Sequence, residues 1–210
     1  MILIIAAMKK ECLSLISLLN LKKTEENIFK NKNTVLICSG IGKVNAAIAC
    51  QEGIDRFAPD LIFNYGFAGS MSKNCHVGDF VRPKKTLQHD FIDLTEDGFK
   101  PYFVSGQARS DFDFAECEAL KKYFPDLKEC QLLLSGDRFV TEKIPDFDDA
   151  ICDMEGYAIA RCADRKNIPV VCVKFVTDSC VSDQKCEYFI SVSEFQKKMQ
   201  YSIAEFIKTI

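Results

Sequence analysis

The stretch 34-TVLICSGIGKVNAAIACQEGIDRFAPDLIFNYGFAGS-70 decides the fold. Thr34–Cys38 is a short apolar run, and Ser39-Gly40-Ile41-Gly42-Lys43 after it reads as a turn. Apolar residues then recur at helical spacing from Val44 to about Phe57, where Pro59 stops the helix. Leu61–Tyr65 is strand-like again and ends in a second small-residue segment, Gly66-Phe67-Ala68-Gly69-Ser70, also read as a turn. Strand, turn, helix, strand in this order predicts an α/β fold with a largely parallel sheet.

The alternation continues outward in both directions. Ile2–Ala7 reads as a buried first strand and Glu11–Leu19 as a helix with apolar positions at Cys12, Leu13, Leu15, Ile16 and Leu19. Beyond the central stretch, Gly78 to Gly106 mixes turn residues with short β-type runs such as Asp79–Arg82. Phe114–Tyr123 is expected to be helical, Gln131–Leu134 a strand ending in Ser135-Gly136-Asp137, and Met154–Arg165 a helix. Val170–Val176 reads as a buried strand ending in Thr177-Asp178-Ser179, and Ser193 as the cap of a last helix that runs to the C-terminus. In open α/β sheets ligands sit at the carboxyl ends of the strands. The turns at Ser39, Gly66, Ser135 and Asp178 are therefore expected to gather on one rim.

Composition narrows the ligand. A chain of 210 residues with 48% hydrophobic residues suits one domain with a sizeable core. Net charge is −3, and no basic block is present to hold a nucleic-acid backbone, so a small molecule is the expected partner and nucleic acid is not. The apolar start is too short for a signal peptide, and no run approaches the ~20 residues of a membrane span. We therefore expect a cytoplasmic protein that does not engage a membrane. The 11 cysteines are scattered without a C-x-x-C pair and read as reduced, mostly buried small hydrophobes. With only His76 and His89 available, neither a metal nor another cofactor is expected.

The candidate chemical groups each have an ordinary explanation. Ser39-Gly40-Ile41-Gly42-Lys43 is placed to cradle a phosphate at a helix N-terminus, but it lacks the full P-loop and dinucleotide patterns and serves equally as a tight turn. Asp153 and Glu155 suit the start of a helix, Asp178 suits a cap or turn, and Glu11 suits first-turn helix charge.

The combination says more. Over nearly its whole length the chain resembles the 5'-methylthioadenosine/S-adenosylhomocysteine nucleosidases. The matching segments are Ala6-Ala7-Met8-Lys9-Lys10-Glu11, Ser39-Gly40-Ile41-Gly42-Lys43-Val44, Asn64-Tyr65-Gly66-Phe67-Ala68-Gly69 and Val77-Gly78-Asp79. They continue with Ser135-Gly136-Asp137-Arg138-Phe139-Val140, Met154-Glu155-Gly156 and Val173-Lys174-Phe175-Val176-Thr177-Asp178, in the family's order and at similar spacing. The resemblance implies one domain over residues 1–210, a three-layer α/β/α fold on a mixed, mostly parallel sheet, and a homodimer in which the neighbour contributes to the 5' pocket.

It also implies roles. Glu11 would activate the attacking water, Asp178 would protonate purine N7, and Glu155 would grip the ribose hydroxyls. Met154 would lie under the sugar, Phe139 would stack on the base, and the Val140 backbone would read the base edge. Met8 and Ile41 would line the 5' pocket, and Phe67, Thr177 and Lys174 complete the substrate-contacting set. Breaking an N-glycosidic bond builds positive charge on the sugar and negative charge on the departing base, which is why it calls for carboxylates beside the sugar and a proton donor beside the base.

Four features depart from the family. Phe67 replaces the usual small Ser or Thr, and Lys174 stands where bacterial relatives often carry Arg. The segment between Gly98 and Phe114 is short, while the chain after Asp178 is longer, with Tyr188, Phe189 and Val192 available as lid residues. Other readings therefore stay open. A phosphorylase on the same fold would need Arg and free backbone N–H groups. Other options are a hydrolase for another adenine-type nucleoside such as futalosine, and a nucleoside-binding protein without catalysis. Phosphate dependence, a substrate panel and tight binding without turnover, respectively, distinguish them.

Overall fold

The computed structural model describes residues 1–102, 104, 110–180 and 199–210. Along the chain the elements are β1 (Ile2–Ala6), α1 (Lys9–Leu18), β2 (Lys22–Lys23), β3 (Ile28–Lys30), β4 (Thr34–Cys38) and α2 (Lys43–Phe57). They continue with β5 (Leu61–Ser70), β6 (Phe80–Gln88), β7 (Ile92–Thr95), β8 (Gly98–Pro101), β9 (Asp111–Asp113) and α3 (Leu120–Tyr123). The last are β10 (Lys128–Ser135), β11 (Ala150–Asp153), α4 (Gly156–Asp164) and β12 (Val170–Ser179). Residues 199–207 are helical, while the expected cap at Ser193 and the lid candidates Tyr188, Phe189 and Val192 lie outside the described residues.

The main sheet runs β11-β10-β6-β12-β5-β1-β4-β3-β2. It holds two parallel blocks, β4-β1-β5-β12 and β6-β10-β11, joined where β12 meets β6 antiparallel. An extra antiparallel pairing of β11 with β5, through Cys152 opposite Gly69, bends the sheet back on itself. This curl draws the carboxyl ends of β5, β11 and β12 around one space. One face is covered by α2, whose Ala46, Ala49 and Cys50 share a core with Leu3, Ile5 and Val35, and by α4, whose Ile159 and Ala163 lie over the part of the sheet that carries Leu133 and Val170. The other is covered by α1 and the C-terminal helix, through Cys12, Leu15, Ile203 and Phe206 against Ile4, Phe63 and Val173. The result is the expected three-layer α/β/α fold on a mixed sheet. No described helix is long and apolar enough to cross a membrane.

Two sequence expectations need correcting. Gly66–Ser70 and Thr177–Ser179 are not turns but the continuation of β5 and β12. These two strands pair from Ile62↔Val170 to Ser70↔Ser179, and tertiary pairing overrides the weak strand preference of glycine. The register shifts between Val176 and Asp178, a bulge that re-aims the side chains there. Phe114–Tyr123 is mostly not helical either. The Phe114 and Ala115 amides donate to the carbonyls of Lys84 and Val170, so only Leu120–Tyr123 completes a helical turn.

Candidate active site

The curled strand ends surround a concave cleft, the setting in which small-molecule sites occur. Its wall includes Met8, Glu11, Ile41, Phe67, Phe139, Val140, Met154, Glu155, Thr177 and Asp178, so it brings together every expected site residue except one. The exception is Lys174, which is buried and bonded to Asp153 2.8 Å away instead of facing the cleft. Of the expected rim turns, Ser39, Gly66 and Asp178 line the space, whereas Ser135 stands behind it.

Glu11 sits in the first turn of α1 and is 2% exposed. Its carboxylate accepts the Met8 N–H at 2.8 Å, so it serves its helix start and faces the cleft at once. Burial raises its pKa, against the pull of the Met8 N–H and the Lys174 charge. A buried carboxylate of raised pKa is a stronger base towards water than an exposed one.

Glu155 occupies the N-cap position of α4 but makes no capping bond. The Gly156 N–H is taken by Asp153 at 2.9 Å, leaving the Glu155 carboxylate to accept the Gly42 N–H at 2.8 Å from the start of α2. Burial, then the neighbouring Asp153 charge, push its pKa up to about 7, while Lys174 and the Gly42 N–H restrain it.

Asp178 is part of β12, which sets aside its reading as a cap. Thr177 Oγ donates to its Oδ1 at 2.8 Å, and burial still raises the carboxyl's pKa. A Cβ at position 69 would lie 2.8 Å from Asp178 Oδ2 and 2.6 Å from Cys180 Sγ, so Gly69 makes room for the acid. Phe139 is 60% exposed at the cleft mouth, an aromatic face available for stacking. Phe67 does two things: its ring lines the cleft and packs edge-on against Phe175, with centroids 6.3 Å apart.

Sequence reasoning gave Asp153, Ser135 and Arg138 no part in the site's chemistry. Asp153 accepts from Lys174, from the Gly156 N–H and from Ser135 Oγ at 2.5 Å, and Ser135 Oγ in turn accepts the Tyr157 N–H at 2.8 Å. The signal was present in the Ser135-Gly136-Asp137 segment and in Asp153 beside Met154-Glu155-Gly156, but only the fold shows that they meet. Arg138 lines the cleft beside Phe139. Among the described residues no cluster of His, Cys, Asp and Glu is arranged to hold a metal ion.

Residues 2–210 match the model of the phosphorylase superfamily. The 5'-methylthioadenosine/S-adenosylhomocysteine nucleosidase of Buchnera aphidicola subsp. Acyrthosiphon pisum (strain Tuc7) is 37% identical over 194 residues, covering 87% of this chain and 81% of that protein. The crystal structure of the Neisseria meningitidis enzyme of the same name, in complex with methylthio-immucillin-A, superposes with a TM-score of 0.85 at 27% identity, covering 100% of this chain and 99% of that one. The futalosine hydrolase of Helicobacter pylori strain 26695 superposes with a TM-score of 0.87 at 20% identity, covering 100% and 97%, a likeness of fold alone.

Proposed function

The chain belongs to the 5'-methylthioadenosine/S-adenosylhomocysteine nucleosidase family of the phosphorylase superfamily, and from that premise we propose that it hydrolyses the N-glycosidic bond of methylthioadenosine, adenosylhomocysteine or both, releasing adenine. Cleavage of adenine-type nucleosides is the activity its relatives carry; the 5' substituent is the finer part of the proposal. In this reading Phe139 stacks on adenine, and protonated Asp178 donates to N7 as the C1'–N9 bond breaks and its electron pair leaves with the base. Glu155 accepts from the ribose hydroxyls. Water adds to C1' while Glu11 takes its proton. Burial raises both pKa values, which favours the acid form of Asp178 and strengthens Glu11 as a base.

One observation carries the choice of water over phosphate. The first amides of α2, which an anion would need, are already engaged by carboxylates: Gly42 by Glu155 and Lys43 by Asp137, each at 2.8 Å. A phosphate there would meet two negative charges. The test is a panel of methylthioadenosine, adenosylhomocysteine, adenosine, inosine and futalosine assayed for base release. The reading fails if futalosine or inosine is the only nucleoside cleaved.

We extend the proposal to a cytoplasmic homodimer. Ile41, Val44 and Ile48 at the start of α2, and Leu94 and Phe99 on the β7–β8 hairpin, expose apolar side chains suited to a second copy. Sedimentation equilibrium reading a monomer at micromolar concentration would remove the dimer. The described cysteines are free thiols, in keeping with a reducing compartment.

A further inference from the structure

A cluster of charges outside the cleft joins two of its walls. Lys43 opens α2, and its ammonium pairs with Asp90 just beyond β6, 3.7 Å from Asp137 Oδ2 and 3.4 Å from Gln88 Oε1. Asp137 Oδ1 accepts the Lys43 N–H at 2.8 Å, and the Asp137 N–H donates to Asp90 Oδ2 at 2.7 Å. One step along the chain, the Gly42 N–H holds Glu155; one and two steps past Asp137 come Arg138 and Phe139 on the cleft wall. The loop is also pressed onto β6: a Cβ at position 136 would fall 2.2 Å from Nε2 of the buried His89, and the His89 N–H donates to the Ser135 carbonyl at 3.0 Å.

A lysine at the first turn of a helix opposes the helix dipole, which favours acidic residues there. α2 has no acidic residue in its first turn and receives its anion from outside, from Asp137. The unfavourable position of Lys43 is accounted for if its task is to hold Asp90 and Asp137 together.

We propose that Asp90, Lys43 and Asp137 form a clasp that positions the Phe139–Val140 wall and the Gly42 amide on Glu155 at the same time. None of the three clasp residues lines the cleft, so they are positioning residues. Its kinetic consequences rest on the nucleosidase reading, but its geometry does not.

The groups facing Glu155 are Asp153 of β11, Lys174 of β12, Glu11 of α1 and the Gly42 amide. Opening the clasp withdraws only the last of these, which holds the Glu155 carboxyl down, so the acid limb of kcat/KM should move to higher pH.

The test compares Lys43→Met, which keeps length without charge, with Lys43→Arg. The Met variant should lose roughly 10- to 100-fold in kcat/KM, the scale of a charged hydrogen bond. Its acid limb should shift upward, its melting temperature should change little, and Lys43→Arg should restore most of both kinetic effects. Amide exchange in the unliganded protein needs no substrate: the Asp137 and Gly42 amides should exchange at least about tenfold faster in the Met variant. If the wild-type protein cleaves no nucleoside, the nucleosidase reading fails while amide exchange still judges the clasp. Unchanged exchange at both amides, or an activity loss with no movement of the acid limb and no rescue by Arg, overturns it. Should Lys43→Met fail to fold, Asp90→Asn keeps shape, removes the charge facing Lys43 and is read the same way.

Discussion

Lys174 Nζ lies 2.8 Å from Asp153 Oδ2, with the two side chains only 2% and 1% exposed. The pair sits behind the cleft, and its cation joins the Met8 N–H at Glu11 and the Gly42 N–H at Glu155 in restraining the rise in pKa that burial causes. Lys174 therefore acts on the site through charge at a distance, not as the substrate contact that its motif position suggested. Asp153 has its acceptor sites filled by Lys174, Ser135 and the Gly156 amide, the condition under which a buried ion pair is tolerated.

Lys174→Met removes one partner and leaves Asp153 buried and charged. We expect a loss of about 3–5 kcal/mol in chemical denaturation, with partial recovery in the double variant carrying Asp153→Asn. Additive losses in the double variant would show that the two residues are not coupled.

The pH dependence of stability follows from Glu155. Its folded-state pKa is about 7 against an ordinary 4.5, so the native state binds the proton more tightly than the unfolded chain. The resulting stabilisation is complete below the ordinary value and is lost as pH rises through about 7. Glu11 and Asp178, also raised, pull the same way. Carboxylates held low by cations, such as Asp90 and Glu129, titrate below this window. Denaturation in urea should show the protein less stable at pH 8 than at pH 5 by on the order of 1–3 kcal/mol. Glu155→Gln should flatten that slope; an equally steep slope in the variant would place its origin elsewhere.

What the sequence made legible was what local chemistry controls. Thr34–Cys38 and the helix after Gly42 were readable because apolar spacing and Pro59 punctuate them. The ends of β5 and β12 were not, because Gly66, Gly69 and Thr177-Asp178 look like turns until the opposite strand is known. Glu11, Glu155 and Asp178 could be named from their motifs. The ordinary explanation of Glu155 as a helix-start acid failed for a reason no single segment contains: Asp153 takes that amide, and Gly42 arrives from another helix. The Lys174–Asp153–Ser135 network and the Asp90–Lys43–Asp137 cluster join residues far apart in the chain, and no spacing rule connects them.

Phe67 is both wall and packing, so Phe67→Ser should act on both. The ring is only partly buried, and we expect a loss smaller than the ~3–5 kcal/mol of a fully buried phenyl group, together with altered KM for methylthioadenosine. Unchanged kinetics on every nucleoside tested would take position 67 out of the site.

Asp178→Asn keeps shape and removes the transferable proton. Turnover should fall by roughly 10² or more while adenine, measured by calorimetry, still binds. Near-normal turnover would remove Asp178 from the mechanism and leave its raised pKa a consequence of burial alone.

The most direct measurement is methylthioadenosine turnover in phosphate-free buffer and again with phosphate added, with adenine and the sugar product identified by mass spectrometry. The account predicts equal rates in both and free methylthioribose as the sugar. Turnover only with phosphate, yielding the sugar 1-phosphate, would contradict it.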